Sequence, residues 1–262
     1  MVLTSEQNIF DLAGQVREIA ARAGEAILNS QTRGFDVSRK DDRSLVTDAD
    51  HAAEDVILPA LRKLTPGIPI LSEEAAAGGD TPQVGDAPIW VVDPLDGTRE
   101  FVAGGTEFAV CIALVLNRRP LFGLLHGPAM KLTYWTRDGA TAMRAKGDGE
   151  GRPVSVRKVP EAGPTAITSR FHSRSGRLAD YLESIGMTER IYMSSALKFG
   201  LLADGSADIY PRFGPTCEWD TAAGHAILAA AGGSIKTLDG KDLGYGKADF
   251  LNPDFIARGG RD

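Results

Sequence analysis

Cysteine is scarce in this chain of 262 residues: only Cys111 and Cys217 occur, in unrelated contexts and without C-x-x-C spacing. That argues against a disulfide framework or a zinc site built on paired thiolates, and a reducing, cytoplasmic setting is expected. An apolar leader is lacking too, because Glu6, Asp11, Arg17 and Glu18 interrupt every candidate run, so secretion is not expected. The longest weakly polar stretch, Thr221 to Ile235, contains His225 and falls short of the ~20 residues a spanning helix needs, so no integral membrane segment is expected. Basic residues do not predominate. With 29 Lys and Arg against 35 Asp and Glu, the net charge of -6 argues against a protein that holds nucleic acid through a basic surface.

What is present is an ordinary globular composition, 43% apolar and 24% charged, at a length suited to two lobes or one large layered fold. From Ser5, a candidate N-cap, to Leu28, apolar residues recur at Ile9, Leu12, Val16, Ile19, Ala20, Ala23 and Ile27, which predicts an amphipathic helix. A second helix follows Thr47, with Pro59 expected to kink or shorten it. Short apolar runs at Ile68–Leu71, Ile89–Val92 and Phe108–Leu116 then predict buried strands. Leu121–Leu125, Leu132–Thr136 and Val154–Arg157 extend them into an antiparallel meander. The Gly- and Pro-rich stretch from Lys146 to Gly163 predicts a boundary between an α+β lobe, 1–155, and an α/β lobe, 156–262.

The chemistry concentrates in Trp90-Val-Val-Asp-Pro-Leu-Asp-Gly-Thr98. A buried strand delivers Asp93 to its end, Gly97 permits a tight turn, and two carboxylates three residues apart can converge. With the Leu95 carbonyl between them they offer hard oxygen ligands suited to Mg²⁺, with no nearby His or Cys in the sequence to favour zinc. Backbone N–H groups at Gly97 and Thr98 would face a phosphate held there. Such a turn also reads as an Asp-rich helix cap. Acids at Glu73 and Glu74 after another strand, and at Asp220 opening an apolar helix, make a shared metal site the better account. The D-x-D-G-T of haloacid dehalogenase phosphatases is not matched, since an additional residue separates the acids here; an aspartyl-phosphate mechanism is discounted.

Asp93-Pro-Leu-Asp-Gly-Thr98, preceded by Ser72-Glu-Glu74 and followed by Glu218-Trp-Asp-Thr-Ala-Ala223, resembles the inositol monophosphatase superfamily of lithium-sensitive, magnesium-dependent phosphatases. The extended Asp93–Phe101 segment, Ser195-Ala-Leu-Lys198, Tyr210–Thr216 and Trp219–His225 are most similar to its CysQ-type 3'(2'),5'-bisphosphate nucleotidases; Glu100 stands where the inositol phosphatases usually have Asn. The resemblance implies a layered α/β/α/β/α sandwich and two or three Mg²⁺ ions. It makes Glu73, Asp93, the Leu95 carbonyl, Asp96 and Asp220 the ligands, with Asp50 and Thr98 as the catalytic pair orienting water. Asp50 alone would read as a helix cap, and Leu45 departs from the proline common before the Val-Thr element.

On the substrate side the resemblance implies Ser169, His172, Ser195, Lys198 and Arg212, together with Glu73, Leu95, Asp96, Gly97, Thr98 and Asp220. The implied reaction is hydrolysis of adenosine 3',5'-bisphosphate to AMP and phosphate, with its sulfated analogue as a second substrate. Inositol monophosphate, fructose 1,6-bisphosphate and histidinol phosphate are the alternatives within the fold, and a non-catalytic nucleotide-binding regulator is the alternative outside it. Some relatives sit peripherally on the cytoplasmic face of the inner membrane. Oligomeric state, monomer or homodimer, is left open by the sequence.

Overall fold

A computed structural model describes residues 6–40, 45–147, 149–170 and 176–260; Ser5 lies outside them. Helix α1 (Glu6–Arg33) buries Leu12, Val16, Ile19, Ala20, Ala23 and Ile27 along one face, as the period demands. A small ladder of β1 (Val37–Arg39) and β2 (Leu45–Thr47) leads into α2 (Asp48–Leu64), which packs beside α1. Pro59 does not shorten α2, which runs through it to Leu64. Pro59 is exposed, so the carbonyl that loses its donor lies on the watered side, while Ile57, Leu58 and Leu61 hold the helix to the core.

The chain then builds β3 (Ile70–Ser72), the short α3 (Glu73–Ala77), β4 (Ile89–Asp96), the short α4 (Thr98–Val102), β5 (Ala109–Leu116), β6 (Arg119–Gly127), β7 (Leu132–Thr136), β8 (Ala142–Lys146) and β9 (Arg152–Pro153). These strands form one seven-stranded sheet in sequence order, β3 parallel to β4 and each later pair antiparallel. Val154–Arg157 does not extend the meander. The Val154 N–H bonds to Ala142 and that of Val156 to Ala231, so the segment leaves the sheet and crosses to the next layer.

Beyond the crossing come β10 (Thr165–Thr168), α5 (Gly176–Ser184), β11 (Glu189–Tyr192), α6 (Leu197–Ala203), β12 (Ile209–Arg212), β13 (Thr216–Cys217), α7 (Ala222–Ala230), β14 (Ser234–Thr237), β15 (Leu251–Asn252) and β16 (Phe255–Arg258). The second sheet has the order β11-β10-β12-β16-β14. Apolar residues from α1 and α2 pack with one face of the first sheet; α6 and α7 fill the space between the sheets; α5 covers the far face of the second with Leu178 and Leu182. The result is the five-layer α/β/α/β/α sandwich.

The middle layer is tight. A Cβ on Gly123 of β6 would lie 2.2 Å from the Ala223 carbonyl oxygen of α7, a contact only backbone movement could relieve. Gly123→Ala should therefore lower the melting temperature by roughly 2–10 °C, the equivalent of the ~1–3 kcal/mol typical of overpacking, in a thermal melt of the purified protein.

Candidate active site

The acids meet where the two sheets approach, and each arrives for a local reason. Strand β4 runs past the expected end at Val92: it is buried from Ile89 to Leu95, holds Asp93 inside it at 1% exposure and shifts register between Asp93 and Asp96, with Leu95, Phe101 and Phe108 buried around the turn that follows. The Asp93 carboxylate accepts from the Leu95 N–H at 3.0 Å, and Gly97 takes φ 99°, so the chain reverses and Thr98 opens α4. Glu73 opens α3 directly after β3, the neighbour of β4, and Asp220 accepts from the Cys217 N–H at 2.8 Å just before α7. One carboxylate oxygen from each of Glu73, Asp93 and Asp220 lies within 4.8 Å of the others. Asp96 accepts from the Ala196 N–H of the second body of the fold.

Convergence leaves the carboxylates short of positive charge. Burial, then the charges of Glu73, Asp96, Asp220 and Asp50, push Asp93 well above the usual carboxylate range. Burial likewise raises Asp96 and Asp220, with Lys198 opposing the rise at Asp96. A cluster of hard oxygens that repel one another in a cleft fits a divalent cation of the Mg²⁺ kind.

Asp50 has partners on both of its carboxylate oxygens. Its Oδ2 accepts from the Thr47 N–H and hydroxyl, each at 2.7 Å, closing a capping box on α2. Its Oδ1 faces the Thr98 hydroxyl at 3.3 Å, and that hydroxyl also lies 3.2 Å from the Leu95 carbonyl oxygen. The helix cap and the contact to Thr98 use the two oxygens of one carboxylate.

A cleft of about 990 Å³ extends from this centre and is lined by Glu73, Asp93, Leu95, Asp96, Gly97, Thr98, Ser169, Ser195, Lys198, Arg212 and Asp220. His172 lies outside the described residues. Lys198 is buried, donates to the Ser195 carbonyl and sits 5.1 Å from the Tyr210 ring; burial lowers it to about 8, against the pull of Asp96. Arg212 reaches the Pro215 carbonyl at 2.8 Å.

Other participants escaped the sequence reading. Lys40 donates to Glu73 at 2.6 Å and to Glu74 at 2.7 Å, across more than thirty residues of chain. Burial raises Glu74 to about 7. Contrary to the expectation of no nearby cysteine, Cys111, opposite Asp93 in the β4–β5 register, brings its sulfur beside Asp93 and Asp96, because strand pairing joins positions eighteen residues apart. The buried Glu218 accepts from the Gly246 and Lys247 N–H groups at 2.8 and 2.9 Å and pairs with the Lys247 ammonium at 2.6 Å, pinning the turn that presents Asp220. A Ser-Glu-Glu or Cys-Glu-Trp-Asp string gives no signal for such distant partners.

Carboxylates gathered at a sheet junction, beside a hydroxyl held by a further carboxylate and sharing a cleft with the buried Lys198 and the half-buried Arg212, define a metal-dependent phosphomonoesterase. The model of the inositol monophosphatase family matches residues 11–260, and the chain belongs to that family. Over 244 residues it is 42% identical to 3'(2'),5'-bisphosphate nucleotidase CysQ of Escherichia coli strain K12, covering 92% of this chain and 97% of that one. The CysQ of Buchnera aphidicola is 37% identical over 249 residues, 93% of this chain and 92% of that one. Among solved structures, CysQ from Bacteroides thetaiotaomicron superposes with a TM-score of 0.78 at 34% identity, covering 96% and 98% of the two chains. The Thermotoga maritima IMPase gives 0.74 at 26%, covering 93% and 90%.

Proposed function

We propose that the protein is a 3'(2'),5'-bisphosphate nucleotidase that hydrolyses adenosine 3',5'-bisphosphate to AMP and phosphate, and acts on the sulfated analogue as well. The observation that carries this reading is the placing of Glu73, Asp93, Asp96 and Asp220 in one cleft with Lys198 and Arg212. The acids suit cations and a phosphate to be cleaved; the basic side chains suit the phosphate that stays. Near full-length identity of 42% to a nucleotidase supports the choice of substrate.

Glu73, Asp93, the Leu95 carbonyl, Asp96 and Asp220 would hold two or three Mg²⁺ ions. Such ions lower the pKa of water and offset phosphoryl charge during in-line displacement. The chain's own contribution is orientation. Asp50 Oδ1 accepts the Thr98 hydroxyl proton in a hydrogen bond, which leaves Thr98 Oγ1 a lone pair with which to accept from the attacking water. Gly97 and Thr98 backbone at the start of α4 faces the phosphate, and Ser169, Ser195 and, by resemblance, His172 complete the nucleotide contacts. On this reading residues 1–155 supply most of the metal ligands, and 156–262 supply substrate contacts and the last ligand.

Among the described residues no helix is long and apolar enough to cross a membrane.

The test is phosphate release from adenosine 3',5'-bisphosphate and from inositol 1-phosphate, each with Mg²⁺, with a chelator, and with Mg²⁺ plus lithium. Turnover of the bisphosphate should exceed that of inositol phosphate by about tenfold or more, stop on chelation and fall with lithium. Brisk hydrolysis of inositol phosphate with none of the bisphosphate would replace the nucleotidase by an inositol monophosphatase.

A further inference from the structure

Two carboxylates that take no part in the metal cluster reach from the first sheet's side of the cleft to the second. Glu107, on the loop between α4 and β5, is 15% exposed; its Oε2 accepts from the Ser194 N–H at 2.9 Å and from Arg170 Nη1 at 2.9 Å. Glu100, within α4, accepts at Oε2 from the Ser194 hydroxyl at 3.2 Å. Gly105 makes room for it, since a Cβ there would lie 2.0 Å from Glu100 Oε1.

Ser194, held at both its N–H and its hydroxyl, opens a corner in which Ser195 takes φ 56°. A side chain rarely adopts that backbone conformation, and it persists where surrounding contacts enforce it. The contacts are all polar and mostly charged: Glu107 on the Ser194 N–H, Asp96 on the Ala196 N–H, and the Lys198 ammonium on the Ser195 carbonyl. The corner delivers Ser195 and Lys198 to the cleft, and Arg170 follows Ser169, which lines the same cleft.

We propose that Glu107, assisted by Glu100, is a positioning residue: it fixes the Ser194–Ser195 corner and the Ser169–Arg170 segment against the Asp96–Thr98 turn, so that the substrate contacts of one sheet face the acids of the other. An ionised acceptor suits this task because its bonds to N–H groups are stronger than those between neutral partners. Glu107 draws together residues 63 and 87 positions away in the sequence, a span that no local element bridges. The inference rests on the preceding functional reading for the identity of the substrate alone.

Purified wild type, Glu107→Ala and Glu107→Gln are assayed with Mg²⁺ on adenosine 3',5'-bisphosphate, inositol 1-phosphate and p-nitrophenyl phosphate, with a thermal melt of each. p-Nitrophenyl phosphate needs the metal centre and makes few contacts beyond it. Glu107→Ala should raise KM for the bisphosphate by roughly 10- to 100-fold, as expected from losing a charge-assisted hydrogen bond. Its kcat, and its KM for p-nitrophenyl phosphate, should change by less than about threefold on the same scale. Glu107→Gln, whose amide oxygen can still accept from the Ser194 N–H, should fall between the two. Equal changes on all substrates, no change on any, or a lowered melting temperature with KM intact would overturn the proposal. If Glu107→Ala does not fold, the KM ratio of Glu107→Gln decides. If wild type turns over inositol phosphate and not the bisphosphate, the nucleotidase reading falls, and the positioning role is judged on KM for inositol phosphate against p-nitrophenyl phosphate.

Discussion

Asp93→Asn should abolish phosphate release while making the metal-free protein more stable. The loss in kcat is expected to be about 10³-fold or more, since removing a single donor that stabilises transition-state charge already costs about 10²–10³. The gain in stability follows from the same geometry. Asp93 is buried beside Glu73, Asp96 and Asp220, and its raised pKa expresses the cost of a negative charge there when no cation offsets it. Asparagine keeps an oxygen for the Leu95 N–H and removes the charge, so little packing is lost. A gain of roughly 1–3 kcal/mol, or about 2–10 °C in a melt run with chelator, is the expected scale. Excess Mg²⁺ should reverse the order, because wild type then gains stability by binding and the variant gains far less. A variant that lost activity and melted lower in chelator would show that Asp93 supports the fold rather than the cation.

The pH dependence of that gap carries a definite sign. An acid whose folded pKa is raised contributes stability that is complete below its unfolded value, near 4, and lost as pH rises through the folded value. Metal-free wild type should accordingly fall further behind Asp93→Asn at pH 8 than at pH 5.5. The buried His126 and His225, both lowered to about 4 by burial, act in the opposite sense: their stability is present above about 6.5 and declines as pH falls. They are common to both proteins and cancel in the difference. Asp208, held low chiefly by the Arg157 guanidinium against its partial burial, stays ionised throughout this range and leaves the difference untouched. The measurement is a pair of melting curves against pH in chelator.

The gathering of acids was legible in the sequence because Glu73 opens a helix, Asp96 ends a strand and Asp220 stands just before a helix, where local chemistry positions each; Asp93 lies further inside β4 than the apolar run ending at Val92 implied. The turn that follows Asp96 is announced by Gly97, which takes a positive φ before Thr98 opens α4. The five-layer architecture came from resemblance, and strand order along the first sheet from the succession of short apolar runs. Partners remote in sequence were not legible: Lys40 on Glu73 and Glu74, or Glu107 on Ser194, leave no periodic trace and depend on how the layers stack. Val154–Arg157 misled for a related reason. Alternating valines signal two-sided packing, and here that packing is met by a segment whose N–H groups serve two different layers. Pro59 did not end the helix, because a proline on a helix's wet face costs less than one facing the core.

The double duty of Asp50 sets up the last expectation. Asp50→Asn should reduce kcat by about 10²–10⁴, the range for a positioned acid or base. It should also cost about 0.5–2 kcal/mol of stability through the weakened capping box on α2. Thr98→Ala separates the effects. It removes the hydroxyl 3.3 Å from Asp50 Oδ1 and leaves both Thr47 bonds to Oδ2 in place, so kcat should fall on a similar scale with the melting temperature nearly unchanged. Thr98→Ser, which keeps the hydroxyl, should recover most of the rate. Near-normal kcat in Thr98→Ala would mean that the Asp50 carboxylate serves the helix alone. A melting loss in Asp50→Asn matched by no loss in Thr98→Ala, with both variants slow, is the pattern expected of a carboxylate that caps a helix with one oxygen and orients the reaction with the other.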